Sequence, residues 1–290
     1  GSVLRTRNDG FGGSRSPLQV GAELFGHAGI ESDTEILELV LDTLSLLEIP
    51  QAHIDLGHVG IFRGLARDAG LSALQENDLF EALQRKAIPE IEEMLAVQVA
   101  DGGQRSRLEA LARLTGGPDV FARAREQLAG ASEPVMDALD NLEAIAGLLT
   151  QRTGNVTLNF DLADLRGYKY QTGMVFAVFV PGCGQEVARG GRYDAVGEVF
   201  GRARPATGFS TDLKTLINLS QRDFGSLQGA ILAPAEEDAT LHATVKELRR
   251  AGERVVSALP GQAGDAAAMG CDRVLVHDKG GWVIKPAVAN

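Results

Sequence analysis

Alternating and helical spacings of hydrophobic residues follow one another along this chain of 290 residues. From Leu18 to Leu24, apolar residues alternate with polar ones, which predicts a strand with Gln19 and Glu23 on the same face. A turn-forming segment, Asn8 to Ser14, precedes this strand, and the apolar pair Val3-Leu4 precedes the turn. The first block therefore predicts a strand, a glycine-rich loop and a second strand.

A helical spacing comes next, carried by Ile36, Leu39, Val40, Leu44 and Leu47. It predicts a helix from about 33 to 48, begun by Ser32 and Glu35 as a capping box and ended by Pro50. The chain then returns to the sheet as a strand from His53 to Val59.

Residues 62–150 are dense in Ala, Leu, Glu, Gln and Arg, which predicts an all-helical insertion packed through Leu and Ala stripes. Pro89 suits the first turn of one of these helices, where its missing N–H does no harm. Strand patterns return at Val156 to Asp161, Met174 to Val180 and Glu186 to Gly190. Pro205 to Leu219 predicts a strand that leads into a helix.

The end of the chain predicts a unit of its own at residues 228–290, joined by a short linker from Gln221 to Leu227. Its pattern is a strand at 230–233, a helix at 238–251 and strands at 254–257, 273–276 and 282–285. A small α/β domain is therefore expected here.

Composition narrows the class of protein. Apolar residues make up 44% of the chain, enough for a substantial core, and the formal charge of -11 opposes broad contact with nucleic acid. No stretch resembles a membrane span or a secretory leader. Cys183 and Cys271 are isolated, and the spacing of His53 and His58 predicts no metal site. These features predict a cytoplasmic protein without a metal or a cofactor.

Six side chains in separate segments form a candidate pocket for an amino acid: Arg5, Gln19, Glu23, Arg166, Tyr168 and Tyr170. Acceptors on one strand face suit an ammonium and a polar side chain, and arginine binds carboxylates or phosphates bidentately. Taken singly, each residue is also explained as a solvated strand residue, a surface arginine or a packing tyrosine. The ordered combination is what favours a pocket.

That combination resembles the class II histidyl-tRNA synthetases over nearly the whole chain outside the helical insertion. Gly190 to Asp194 is its most specific part, and Arg5, Gln19 and Glu23 match the second class II motif at the right spacing. Arg166 to Gln171 matches the histidine signature at Arg, Gly and one Tyr. The resemblance implies an α+β fold, with an antiparallel sheet and flanking helices formed by 1–61 and 151–222. It also implies an N-terminal part of this core upstream of Gly1.

The departures from the synthetases fall on groups that hold ATP. Arg7 replaces a Glu of the second motif, and Arg15 is the only cation in a loop that is basic in the family. The third motif reads Asp212 to Thr215, so Thr215 replaces an Arg that meets the terminal phosphates. Each lost charge-assisted hydrogen bond costs about 1.5 to 3 kcal/mol. Lys169 and Gln171 also replace the signature's Asp and second Tyr.

A pocket that keeps amino-acid contacts and loses phosphate contacts resembles the regulatory subunits of short-form ATP phosphoribosyltransferases. The resemblance implies a catalytic partner subunit in the first step of histidine biosynthesis, histidine as the effector, a homodimer within a hetero-oligomer, and no catalysis by this chain. Two alternatives remain open: a histidine-activating synthetase-like enzyme, and an amino-acid-binding module that acts on another protein.

Overall fold

A computed structural model describes residues 1–6, 15–154, 156–224, 229–262 and 265–287. The chain divides into two compact units, Gly1–Arg222 and Asp223–Asn290. Arg7 and the glycine-rich loop expected from Asn8 to Ser14 lie outside the described residues. Within the described ranges, no helix is both long enough and apolar enough to cross a membrane.

The first unit alternates between a sheet and a run of helices. In chain order it contains β1 (Gln19–Phe25), α1 (Ile30–Leu46), β2 (His53–His58), α2 (Val59–Asp68), α3 (Ala73–Gln84), α4 (Ile88–Gln98), α5 (Gly102–Leu111), β3 (Thr115–Gly116), α6 (Val120–Gln127), α7 (Glu133–Thr153), β4 (Thr157–Asp161), β5 (Met174–Phe179), β6 (Ala188–Arg192), a 3-10 helix (Val196–Phe200), β7 (Ala206–Asp212) and α8 (Leu213–Leu219). Residues 62–150 are mostly helical, with the short β3 where the Gly116-Gly117-Pro118 break lies.

The seven strands form one sheet in the order β1-β7-β6-β5-β2-β4-β3. All neighbouring pairs are antiparallel except β2 and β4, which run parallel. A parallel pair requires a long crossover, and the helices between β2 and β4 provide it. The predicted α+β class is confirmed, and the antiparallel prediction is wrong for this one pair.

The first residues pair with the segment before β1, although they do not form the strand predicted at Val3-Leu4. Ser2 and Leu18 form a single antiparallel bridge. The Arg5 amide donates to the Arg15 carbonyl at 2.9 Å, which continues this pairing.

Helix α1 begins earlier than predicted, and its start uses a different device. The N-cap is Gly29, and no side chain caps the helix, so the predicted capping box of Ser32 and Glu35 is wrong. The Ser32 hydroxyl instead donates to the Gly29 carbonyl at 2.7 Å and accepts from Arg192 Nη2 at 2.8 Å. A tertiary contact has replaced the local cap.

The core of the first unit lies between the sheet and the helices α1, α2 and α7. Helix α7 packs against both α1 and α2, and Phe62 of α2, Phe160 of β4 and Phe176 of β5 are fully buried in this core. Phe121 packs on Phe160 with ring centroids 4.7 Å apart, which ties the helical region to β4. The burial of these apolar side chains is the main contribution to the stability of the unit.

The second unit contains β8 (Ala230–Ala233), α9 (Ala239–Arg250), β9 (Val255–Ser257), β10 (Cys271–Asp278) and β11 (Gly281–Pro286). Its sheet has the order β11-β10-β8-β9, with β8 parallel to β9 and β10. Asp238 caps α9 by accepting from the Thr240 amide at 2.6 Å, and Leu241 and Val245 of the helix join the small core.

Candidate ligand-binding cleft

An open cleft of about 810 Å³ lies over β1, β6 and β7 of the first unit, beside the segment that precedes β5. Gln19 and Glu23 reach it from β1, and Arg166 and Tyr170 reach it from the segment. Four of the six predicted pocket residues are therefore brought together. The volume is in the range of small-molecule sites.

Gln19 and Glu23 lie on the same face of β1, because side chains alternate along a strand, and β7 packs closely beside them. In the antiparallel ladder with β7, Gln19 is opposite Asp212 and Glu23 is opposite Gly208. A Cβ atom at Gly208 would lie 2.9 Å from Glu23 Cγ and 2.7 Å from the Ala22 carbonyl oxygen, so glycine is required there for the carboxylate to keep its place.

Arg166 is held in the cleft wall by two carboxylates. Its Nε lies 3.5 Å from Asp164 Oδ1 and its Nη1 lies 3.3 Å from Glu186 Oε2. The Asp164 side chain also accepts from the Arg166 amide at 3.1 Å, and burial raises the pKa of this carboxyl. The guanidinium is thus fixed by its neighbours before any ligand binds.

A second arginine of the cleft was missed by the sequence analysis. Arg189 of β6 lines the cleft, and its Nη1 lies 3.2 Å from Glu186 Oε1, so one carboxylate holds both arginines. The available signal was the spacing of Glu186 and Arg189 just before the Gly190 to Asp194 motif. Two cations therefore face the cleft, against one carboxylate from Glu23.

The two tyrosines of the histidine signature point to different places. Gly167, with φ of +65°, makes a turn after which Tyr170 lies at the cleft. Tyr168 instead packs against Phe80 of α3 with ring centroids 5.2 Å apart, and its hydroxyl donates to Glu76. Burial and the Glu76 carboxylate raise the pKa of Tyr168. The structure thus places Tyr168 in a helix contact rather than in the cleft lining.

Arg5 is half-buried, and the described cleft lining includes Ser2 and Val3 rather than Arg5. Arg15 Nε donates to the Arg5 carbonyl at 3.4 Å. A ligand role for Arg5 stays a prediction.

Besides Arg166 Nη1, which lies near Glu186, two buried polar atoms of cleft-lining residues have no hydrogen-bond partner in the described part of the chain: Gln171 Oε1 and the Tyr193 hydroxyl. Gln171 is only 5% exposed, and both residues line the cleft. Burial raises the pKa of Tyr193, and the nearby Glu23 carboxylate adds to the rise. The Tyr193 hydroxyl nevertheless makes no hydrogen bond of good geometry with Glu23. Buried polar atoms without partners are rare in folded proteins, so they mark this wall as a place for polar ligand groups.

At the end of β7 the polar side chains are used by the fold itself. Asp212 caps α8, accepting from the Lys214 amide at 3.2 Å, from the Leu18 amide at 3.0 Å and from the Thr215 hydroxyl at 3.3 Å. Neither Asp212 nor Thr215 is among the described cleft residues. This turn ties β1 to α8, and its one cation, the exposed Lys214, donates from Nζ to the Ser16 carbonyl at 3.5 Å.

Among the described residues, His, Cys, Asp and Glu side chains nowhere gather in threes as a metal-binding set would require. The chemistry available in the cleft is therefore hydrogen bonding and ion pairing by Glu23, Gln19, Arg166 and Arg189.

Comparison with known proteins identifies relatives of this chain. A family model of histidyl-tRNA synthetase matches residues 1–216, and one of the ATP phosphoribosyltransferase subunit HisZ C-terminal domain matches residues 228–285. A curated ATP phosphoribosyltransferase regulatory subunit from Thioalkalivibrio sulfidiphilus is 55% identical over 98% of this chain and 72% of its own length.

Solved structures agree on the fold. An ATP phosphoribosyltransferase regulatory subunit/histidyl-tRNA synthetase from Bacillus halodurans C has a TM-score of 0.72 at 24% identity, covering 93% of this chain and 69% of that one. A chain of the ATP phosphoribosyl transferase (HisG:HisZ) complex from Thermotoga maritima has a TM-score of 0.55 at 20% identity, covering 73% of this chain and 70% of that one. With the identity and coverage of the curated relative, these matches show that the chain belongs to the family of ATP phosphoribosyltransferase regulatory subunits.

Proposed function

We propose that this chain binds free histidine in the cleft and regulates a short-form ATP phosphoribosyltransferase catalytic subunit, without making a chemical bond itself. The observation that carries the proposal is the contrast between the polar side chains of β1 and those at the junction of β7 and α8. Gln19 and Glu23 face an open cleft, whereas Asp212 and Thr215 bond to their own chain.

The charges of the cleft suit a zwitterion. Glu23 and Gln19 receive the ammonium group and the polar side chain of histidine, and its carboxylate binds Arg166, which Asp164 and Glu186 already hold in place. Gln171 Oε1 is a buried acceptor for an imidazole N–H, and Tyr170 closes the same wall. A guanidinium positioned in advance loses less conformational freedom on binding.

ATP lacks a comparable place at the end of β7. The family position for a phosphate-binding arginine holds Thr215, and Asp212 adds a negative charge next to it. Each missing charge-assisted hydrogen bond weakens phosphate binding by about 1.5 to 3 kcal/mol. This chain therefore lacks the ATP-binding contacts that adenylation of histidine requires.

Regulation follows from linkage. Histidine favours the state of the hetero-oligomer that binds it more tightly, and a coupling of about 1 to 3 kcal/mol changes the binding equilibrium roughly 5- to 150-fold. We also propose the homodimer within this complex that the family resemblance implies. Nucleic acid is not proposed as a partner, because the charge of -11 opposes it.

The experiment adds the chain, extended to the full length of its relatives, to a short catalytic subunit and measures ATP phosphoribosyltransferase activity. We expect activation that histidine reverses. Glu23→Gln should keep the activation and lose the reversal, and Glu126→Gln, an exposed change of equal charge, should behave as wild type. A chain that leaves the catalytic subunit unaffected contradicts the proposal.

The alternative is a histidine-activating enzyme, and one observation favours it: Arg166 and Arg189 both line the cleft. Histidine-dependent exchange between pyrophosphate and ATP would support this alternative. Arg189→Gln should abolish that exchange if the arginine holds phosphate.

A further inference from the structure

A second cavity of the first unit lies away from the cleft, between helices α2 and α7. Its volume is about 470 Å³, and His58, Arg63, Arg67, Asp137, Asn141 and Thr172 provide its polar lining. The two helices are close because Gly64 of α2 faces Val135 of α7, where a Cβ atom would lie 2.4 Å from Val135 Cγ2. The walls are therefore fixed by packing.

His58 brings a buried hydrogen-bond donor to this cavity. The residue is 8% exposed, and its Nδ1 accepts from the Gly60 amide at 3.1 Å. Burial, together with the charges of Arg192 and Arg63, lowers the pKa of His58 to about 4, so the ring is neutral at pH 7. A neutral ring that accepts at Nδ1 carries its proton on Nε2. No group in the described part of the chain accepts from that Nε2.

Two arginines one helical turn apart stand beside this donor. Arg63 uses Nη2 to bind the Tyr168 carbonyl at 2.5 Å and stacks on the Tyr168 ring at 4.7 Å, and it also borders the cavity. Arg67 is exposed and makes no hydrogen bond or ion pair within the described ranges. Residues four apart on a helix lie on the same face, so both guanidinium groups border one cavity.

The opposite wall is less charged. Helix α7 contributes Asn141, an amide with two donors, and the exposed Asp137. Two arginines against one carboxylate leave the cavity lining positive. A cavity lined by the unpartnered N–H of a largely buried histidine and by two guanidinium groups is chemically matched to an anion.

We infer that the cavity between α2 and α7 is a binding site for a small anion, a phosphate or carboxylate group held by His58 Nε2, Arg63 and Arg67. The inference stands apart from the proposed histidine function, because none of these three residues lines the cleft. Arg67 supplies the exposed half of the site and His58 the buried half.

The test observes the imidazole signals of the five histidines by NMR while the whole chain is titrated with inorganic phosphate or with acetate at low chloride. His58→Asn identifies the His58 signal. We expect a saturable shift of that signal with at least one of the two anions. Phosphate alone would indicate a phosphate ester as the natural ligand, and acetate alone a carboxylate.

The matched variants are Arg67→Gln and Arg250→Gln, which each remove one exposed arginine from the last turn of a helix. Arg67→Gln should raise the Kd about tenfold or more, as expected for losing a hydrogen bond between charged groups, and Arg250→Gln should leave it unchanged. A His58 signal that neither anion moves, or equal binding in Arg67→Gln and wild type, would overturn the inference.

Discussion

The two faces of strand β6 use buried polar groups in opposite ways. On one face, Arg192 is 6% exposed and each of its nitrogens donates at least one hydrogen bond: to Asp33, to Asp194 and Ser32, and to the carbonyls of His27 and Gly29. On the other face, Gln171 packs against Gly191, and Gln171 Oε1 and the neighbouring Tyr193 hydroxyl are buried without partners.

The difference separates structure from binding. Side chains on a strand alternate between faces, so one short motif serves both purposes. The satisfied face ties β6 to the start of α1 and is costly to disturb. The unsatisfied face borders the cleft, where a ligand is able to supply the missing hydrogen bonds.

The largest expected effect comes from breaking the satisfied face. Asp33→Asn leaves the buried Arg192 with one carboxylate fewer, and we expect the free energy of unfolding to fall by about 3 to 5 kcal/mol. Urea denaturation measures the loss. Asp42→Asn, on the exposed side of α1, should change stability by less than about 0.5 kcal/mol. Equal stabilities of the two variants would contradict the comparison.

The pH dependence of the unfolding free energy tests how strongly burial disfavours a charge on His58. His58 has its folded pKa lowered to about 4, so the unfolded chain takes up a proton first as the pH falls. Its stabilising contribution is complete above about pH 6.5 and is lost towards pH 4, about 2 to 3 kcal/mol by pH 4.5. His58→Asn, which retains an acceptor for the Gly60 amide, should lose less stability between pH 7.5 and 4.5 than wild type.

The control for this pH dependence is His53→Asn, because His53 is exposed at the start of the same strand. That variant should follow the wild-type pH profile. A profile for His58→Asn that is as steep as wild type would show that the pKa of His58 is not depressed.

At the end of β7, Asp212→Ala should cost stability without affecting histidine. The substitution removes the cap of α8 and an acceptor for the Leu18 amide, and a lost cap costs about 1 kcal/mol. Asp212→Asn keeps a side-chain acceptor and should restore most of the loss. Calorimetry should give the wild-type histidine affinity for both variants. A large loss of affinity in both would place this turn in the amino-acid site.

We expect the smallest effect on stability for Gln171→Met. This substitution also tests the unsatisfied face of β6 most directly. Removing a buried unpaired acceptor should leave the unfolding free energy unchanged or slightly higher. Histidine affinity should fall by about 1 kcal/mol, roughly fivefold, because the imidazole loses an acceptor. A clear loss of stability would mean that Gln171 is already satisfied in the free protein.

Local spacing was enough to predict much of the fold. The alternation around β1, the apolar stretch of β5 and the place of Pro89 at the start of α4 depend on neighbours in sequence, and the structure has all three. The start of α1 was wrong because Ser32 bonds to Arg192, which is 160 residues away. The parallel pairing of β2 with β4 depends on a crossover whose length alone does not fix direction.

The site was less predictable for similar reasons. Gln19 and Glu23 follow from strand alternation, but Tyr168 and Tyr170 are separated by the turn at Gly167 and the packing of α3. Arg189 was overlooked because its meaning depends on Glu186, which joins it to Arg166. The cavity between α2 and α7 depends on how two helices pack and left no motif in the sequence.

The most direct test of the account measures histidine binding and histidine-dependent ATP–pyrophosphate exchange in one preparation of the chain extended to the length of its relatives. Equilibrium dialysis should show saturable histidine binding that Glu23→Gln weakens at least about tenfold, while exchange stays at background. Exchange that depends on histidine, or a cleft that fails to bind histidine, would contradict the claim that this family member kept the groups that bind an amino acid and lost those that bind a nucleotide.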